Sequence, residues 1–166
     1  MKNSVLLESE LYEPMRIWLQ SYLEDKYKNA EIITIDSHSK TLDTYLEEYG
    51  VLSYYPESVG VDIQIDVLGV IKEKNRVFLV FIEAKKNQLN LHDLGQLWAY
   101  CQLCEPVEAF LLSPKGLGSL NKIFNNLSRI DLLEFGNEGK KIKKMQVGKW
   151  DILGESIDYV SLIPKI

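Results

Sequence analysis

The stretch FLVFIEAKK (78–86) runs five apolar residues in a row before Glu83, Ala84, Lys85 and Lys86. Side chains alternate along a strand, so Glu83 and Lys85 point to one face and Ala84 to the other. A core strand that ends this way needs something for its acid and its base to act on. The preceding segment, VDIQIDVLGVI (61–71), alternates as well, with Val61, Ile63, Ile65 and Val67 on one face. Asp62, Gln64, Asp66, Leu68 and Val70 take the other. KEKN reads as the turn of a hairpin. With Glu73 to Arg76 as a four-residue loop, Lys72 faces Val77 and Asp66 lies directly opposite Glu83, their Cβ atoms about 5 Å apart. Two opposed carboxylates repel unless a cation sits between them. Oxygen ligands at that separation suit Mg²⁺ or Mn²⁺, which take one or two carboxylates and keep waters for chemistry. Lys85 could then hold a metal-bound water or steady a phosphate oxygen. A slip of one residue would carry Asp66 to the other face. Asp62, which shares the face of Asp66 and would lie opposite Asn87, is the alternative.

The elements that must position these residues follow from periodicity. ESELYEPMRIWLQSYLEDKY places Leu11, Met15, Trp18, Leu19, Tyr22 and Leu23 on one helical stripe, with Pro14 tolerable only near the helix start. EIITID (31–36) is a β-branched strand, and TLDTYLEEYG (41–50) a short helix ended by Gly50. SYYPESVG reads as a loop. NQLNLHDLGQLWAYCQLC (87–104) is a helix with Leu91, Leu94, Trp98 and Cys101 on its apolar face, widened by Leu97 and Cys104, and Pro106 ends it. VEAFLLS (107–113) is too continuously apolar for a sheet edge. Residues 119–128 read as helical, IDLLEF as a strand, and GNEG as a turn into KKIKKMQVGKW. The order is that of a mixed α/β domain with a strand–helix–strand crossover over 78–112.

The chain has 166 residues, 46% hydrophobic and 26% charged, which fits one soluble domain spanning 1–166. The opening MKNSVLLESELYEP is too acidic and short for a signal peptide, and no apolar run is long enough for a membrane helix. The cytoplasm is therefore the expected compartment. A net charge of −5 argues against a protein that coats nucleic acid, since Lys and Arg drive that binding. A local basic patch remains compatible with it. Cys101 and Cys104, in a helix, read as small buried apolar residues rather than a metal or redox pair. His38 and His92 lack partners at useful spacing. The alternating lysines of KKIKK (140–144) read as a solvated strand that could meet a DNA backbone from one side.

Asp66 followed by EAK at 83–85, with sixteen residues between Asp66 and Glu83, resembles the core of the PD-(D/E)XK nuclease superfamily. QLWAY (96–100) is similar to the Gln-x-x-x-Tyr signature of the RecB-like members, and ESELYEP (8–14) to the acidic opening of the superfamily's first helix. The element order matches over roughly residues 8–113, and the extension 119–166 lies outside the resemblance. The sequence departs from the pattern in carrying Ile65, not proline, ahead of Asp66.

The resemblance implies a restriction-endonuclease-like αβββαβ core with a mixed central sheet flanked by helices. It implies that Asp66 and Glu83 bind Mg²⁺ (or Mn²⁺) with the Ala84 carbonyl, and that Lys85 positions the attacking water. Glu10 matches the first-helix acid, with Glu8 and Glu13 as close alternatives. Gln96 would support the metal site, while Tyr100 and Lys86 would bind substrate. The expected partner is nucleic acid, DNA first, with no membrane and with a homodimer as one way to cut two strands. The rival expectations are a nuclease-like domain that binds nucleic acid or protein without cutting, and a structural α/β subunit.

Overall fold

The computed structural model describes residues 6–136 and 141–165. A 3₁₀ turn (Glu8–Leu11) leads into α1 (Tyr12–Lys26), then β1 (Glu31–Asp36) and α2 (Leu42–Glu48). The hairpin of β2 (Val67–Glu73) and β3 (Arg76–Ala84) precedes α3 (Leu91–Cys104) and β4 (Glu108–Ser113). A short α4 (Ser119–Asn121) continues as a π-helical turn, Lys122–Asn126. β5 (Glu134–Phe135), β6 (Lys143–Lys144), β7 (Gln146–Asp151) and β8 (Ser156–Ile163) complete the order.

Six strands form one mixed sheet in the order β1-β2-β3-β4-β7-β8. β1, β2 and β3 are antiparallel neighbours, β4 and β7 run parallel to β3, and β8 returns antiparallel. Helices cover both faces, as the mixed α/β reading expects. On one face α1 packs Met15, Leu19 and Leu23 against Val67, Ile71, Val80 and Ile82. On the other, α2 and α3 pack Leu42, Leu46, Leu94, Leu97 and Cys101 against Leu68, Val70, Leu79 and Phe81. Gly69 allows α1 to come this close: a Cβ there would meet Leu23 Cδ1 at 2.9 Å and Val80 Cβ at 3.2 Å. Among the described residues, no helix is long and apolar enough to cross a membrane.

Four expectations need correction. Residues 61–66 are not strand: Gly60 and Asp62 both take positive φ, and the segment bonds instead to the start of α2 through Leu42 N–H and Ile63 O at 2.8 Å. Ile63 and Ile65 consequently sit in the same core as Leu68 and Val70, so the alternation breaks at Asp66. The hairpin tip is two residues long, because Glu73 pairs with Arg76, although Lys72 still faces Val77. Within IDLLEF only Glu134 and Phe135 are strand, since a 3₁₀ turn over Ile130–Leu133 swings Leu133 into the core. Trp98 is 41% exposed and Leu91 55%, so the buried face of α3 is Leu94, Leu97, Cys101 and Cys104. Both cysteines are free and buried, as small apolar residues would be. Lys140 of KKIKK and most of the GNEG turn lie outside the described residues.

Candidate active site

Three segments meet at one end of the sheet. β3 ends at Ala84, and Lys85 N–H still donates to Leu112 O of β4 at 2.9 Å, which fixes the path of the EAK segment. β2 starts at Val67, opposite Ile82, so Asp66 stands one residue outside the ladder at the position that faces Glu83. β1 ends beside it: Asp36 pairs with Val67, and Ser37 N–H donates to Asp66 O at 3.0 Å. The buried Ser37 hydroxyl also donates to Ile65 O, so this segment is tied to β1 where the ladder stops.

The Asp66 carboxylate accepts the Ala84 N–H at Oδ2, 2.8 Å away. Asp66 and Glu83 face each other closely enough that each perturbs the ionisation of the other. Burial is the main reason Glu83 titrates well above the ordinary carboxyl range, and the Asp66 charge adds to it. Burial also raises Asp66, opposed by the Ala84 N–H and by the Lys85 charge. Lys85 Nζ lies 4.0 Å from Glu83 Oε2. Glu83 is 3% exposed, and its Oε1 is buried without a hydrogen-bond partner. A buried oxygen left this way costs free energy that a bound cation would recover.

The donor set fits a hard divalent ion held in an open site. Among the described residues, no three or more His, Cys, Asp or Glu side chains gather as a metal cage. Two carboxylates and a carbonyl oxygen are a set that octahedral Mg²⁺ accepts while keeping several of its waters. Asp66, Glu83 and the Ala84 carbonyl are the residues that would hold it.

The remaining expected residues fall differently. Glu10 is exposed on the 3₁₀ turn. Glu8 is the first-helix acid turned toward the site: its Oε2 accepts the Lys86 N–H at 3.2 Å, and its charge raises Asp66. Glu13 is exposed and pairs with Arg16 at 2.6 Å. Asp62, the alternative to Asp66, is exposed. Gln96 is exposed and its Nε2 donates to Tyr100 Oη, one turn on, at 3.3 Å. Neither hydrogen-bonds to Asp66, Glu83 or Lys85; Tyr100 packs against the core beneath α3.

Sequence reasoning missed Tyr12, Asp36 and His38. Tyr12 is buried, and its hydroxyl is raised by burial first and then by Asp66, Glu8, Glu83 and Asp36, which places it among the acids. Its ring lies 4.7 Å from that of His38, whose Nδ1 is 2.5 Å from Asp36 Oδ1. The available signals were the four-residue step from Glu8 to Tyr12 on a helix start and the Asp36-x-His38 spacing just past a strand. Neither says that β1 pairs with β2, which is what brings Asp36 and His38 to the acidic pair. No family model, curated protein or solved structure matches this chain.

Proposed function

We propose that the protein is a metal-dependent nuclease that hydrolyses phosphodiester bonds in DNA, with the Asp66–Glu83 pair as its centre. One observation carries the reading: two carboxyls face each other at a strand end, Glu83 keeps a buried oxygen without a hydrogen-bond partner, and Lys85 stands beside them. A structural ion pair would have matched each acid to its own base; here the buried Glu83 faces the half-buried Asp66, with one lysine beside the two, an arrangement suited to a cation. Mg²⁺ or Mn²⁺ at this position supplies a water of lowered pKa and neutralises charge building on the phosphate.

The chain's own part is positional and protonic. The Ala84 N–H holds Asp66 in one rotamer. Burial and the Asp66 charge favour the protonated form of Glu83, so the pair would hold a cation only once Glu83 has lost its proton to solvent. Lys85 then has two tasks within reach of Nζ: orienting the attacking water and holding a non-bridging phosphate oxygen. Glu8 fixes the backbone of Lys86, so the two lysines leave the strand in a defined direction. The neutral hydroxyl of Tyr12 screens the acids from the helix side.

The test is incubation with plasmid and with single-stranded DNA in Mg²⁺, Mn²⁺ or EDTA. Cleavage should require the ion, and Asp66→Asn, Glu83→Gln and Lys85→Ala should each remove it by at least about a hundredfold. Full activity in any of the three, or none in the native chain with either ion, overturns the reading.

A further inference from the structure

We propose that the groove between α4 and β8 holds an unstacked nucleobase of the strand being cut, so that single-stranded nucleic acid is the preferred substrate. The inference rests on the nuclease reading above.

The groove has a volume of about 620 Å³ and is lined by no carboxylate, in a chain whose net charge is −5. Its walls carry the amides of Gln88, Asn121 and Asn125 and the ammonium of Lys165. Leu117, Val160 and Leu162 add apolar surface, with Leu162 buried and Val160 exposed at the rim. A nucleobase is a flat apolar face with a hydrogen-bonding edge, and carboxamides supply the donors and acceptors that such edges use. The amides have capacity to spare. Asn125 Nδ2 donates to Asn121 Oδ1, which leaves the Asn121 NH₂ and the Asn125 carbonyl available. The Gln88 amide makes no hydrogen bond among the described residues. Lys165 Nζ donates to Val160 O at 2.5 Å and keeps two further hydrogens for a phosphate.

The groove is also fastened to the candidate active site. Gln88 lies five residues beyond Glu83, on the loop that Lys85 and Lys86 begin. That loop is locked to the one after β4: Leu89 N–H donates to Gly116 O at 3.1 Å, and Ser113 Oγ to Asn87 O at 2.5 Å. Gly118 closes the joint, because a Cβ there would meet Leu89 O at 2.7 Å and Gln88 Cβ at 2.9 Å. The exposed Lys115 stands on the same joint. Lys85, Lys86 and Lys115 thus stand on the two locked loops that join the acidic pair to the groove. A base in a duplex presents its face to its neighbours and its edge to its partner, so only an unpaired one can enter.

The experiment measures binding without cleavage, by anisotropy of a labelled single-stranded 12-mer and of its duplex in EDTA, for the native chain and for Asn121→Ala/Asn125→Ala. All variants are checked for a native melt, and Gln88→Ala serves as the second variant if the double substitution melts early. A fivefold or greater loss of single-strand binding, with duplex binding unchanged, supports the groove. The side-chain NH₂ resonances of Asn121, Asn125 and Gln88 should also shift on addition of dAMP or dCMP. Loss-free binding in both variants, or unmoved amide resonances, overturns the proposal while leaving the nuclease reading intact. Groove-dependent binding with no cleavage under any metal keeps the groove and removes the nuclease.

Discussion

The burial of Glu83 beside Asp66 gives the site its measurable signature. Glu83 ionises near 4.5 in an unfolded chain and well above that when folded, because it is buried beside Asp66. Between those two values the folded state binds more protons than the unfolded one, so the Glu83 contribution to stability falls as pH rises. Below 4.5 both states hold the proton and Glu83 adds no slope. Glu83→Gln keeps the shape and removes the ionisation. It should raise Tm by about 3 °C or more at pH 8 and by less at pH 5, measured by thermal melts. A lower Tm at pH 8 would show that the Glu83 charge is part of the fold. Asp66 is different, because its carboxylate also satisfies the Ala84 N–H. Asp66→Ala should therefore cost about 1–3 kcal/mol in denaturant melts, and Asp66→Asn, which can still accept that bond, much less. The opposed-charge argument alone would have made both neutral. Because the ion must displace the proton that burial favours on Glu83, Mg²⁺ affinity by calorimetry should weaken as pH falls.

At the scale of elements, α3 and α1 hold the strand ends that carry the acids. α3 starts at a capping box in which the Asn90 side chain accepts the Asp93 N–H and Asp93 accepts the Asn90 N–H. Its apolar stripe is narrower than its sequence suggests, because Trp98 leans over the surface with Nε1 donating to Glu134 O at 3.1 Å. Leu97→Ala should cost about 2–5 kcal/mol by leaving a core cavity, and Trp98→Ala clearly less. Equal costs in urea melts would show that Trp98 is a core residue after all. Gly69 is the matching constraint on α1. Gly69→Ala should cost about 1–3 kcal/mol, since the new methyl has Leu23 on one side and Val80 on the other.

For the whole molecule, β7 and β8 decide that β4 is an interior strand. β7 runs parallel to β4 from Phe110 to Ser113, and Trp150, Ile157 and Leu162 enter the core that α1 covers. The fragment 1–118 would expose that edge and part of both cores. It should fail to give a cooperative melt and should elute as aggregate in size exclusion, whereas the full chain does neither. A well-folded fragment would make residues 119–166 an appendage. Mg²⁺ should raise the Tm of the full chain by mass action, saturably, and leave Glu83→Gln unmoved.

What the sequence by itself determined is local. The apolar runs of β3 and β4, the stripe of α1 and the Pro106 stop of α3 follow from side-chain size and period. The facing of Lys72 and Val77 follows from the length of a hairpin. From those alone Asp66 falls opposite Glu83, with Lys85 on the same side. The tertiary structure decided the rest. Alternation could not reveal that residues 61–66 leave the ladder, because Gly60 and Asp62 turn the backbone while Ile63 and Ile65 stay buried. Helical period allowed Glu8, Glu10 or Glu13 to face the acids; only the docking of α1 on the sheet selected Glu8. Tyr12 on α1 and the Asp36–His38 pair at the end of β1 reach the acids only once α1 docks on the sheet and β1 pairs with β2. Contacts made through such long-range pairing leave no periodic trace in the residues that make them, so the chemistry of the strand end could be read in advance and its surroundings could not.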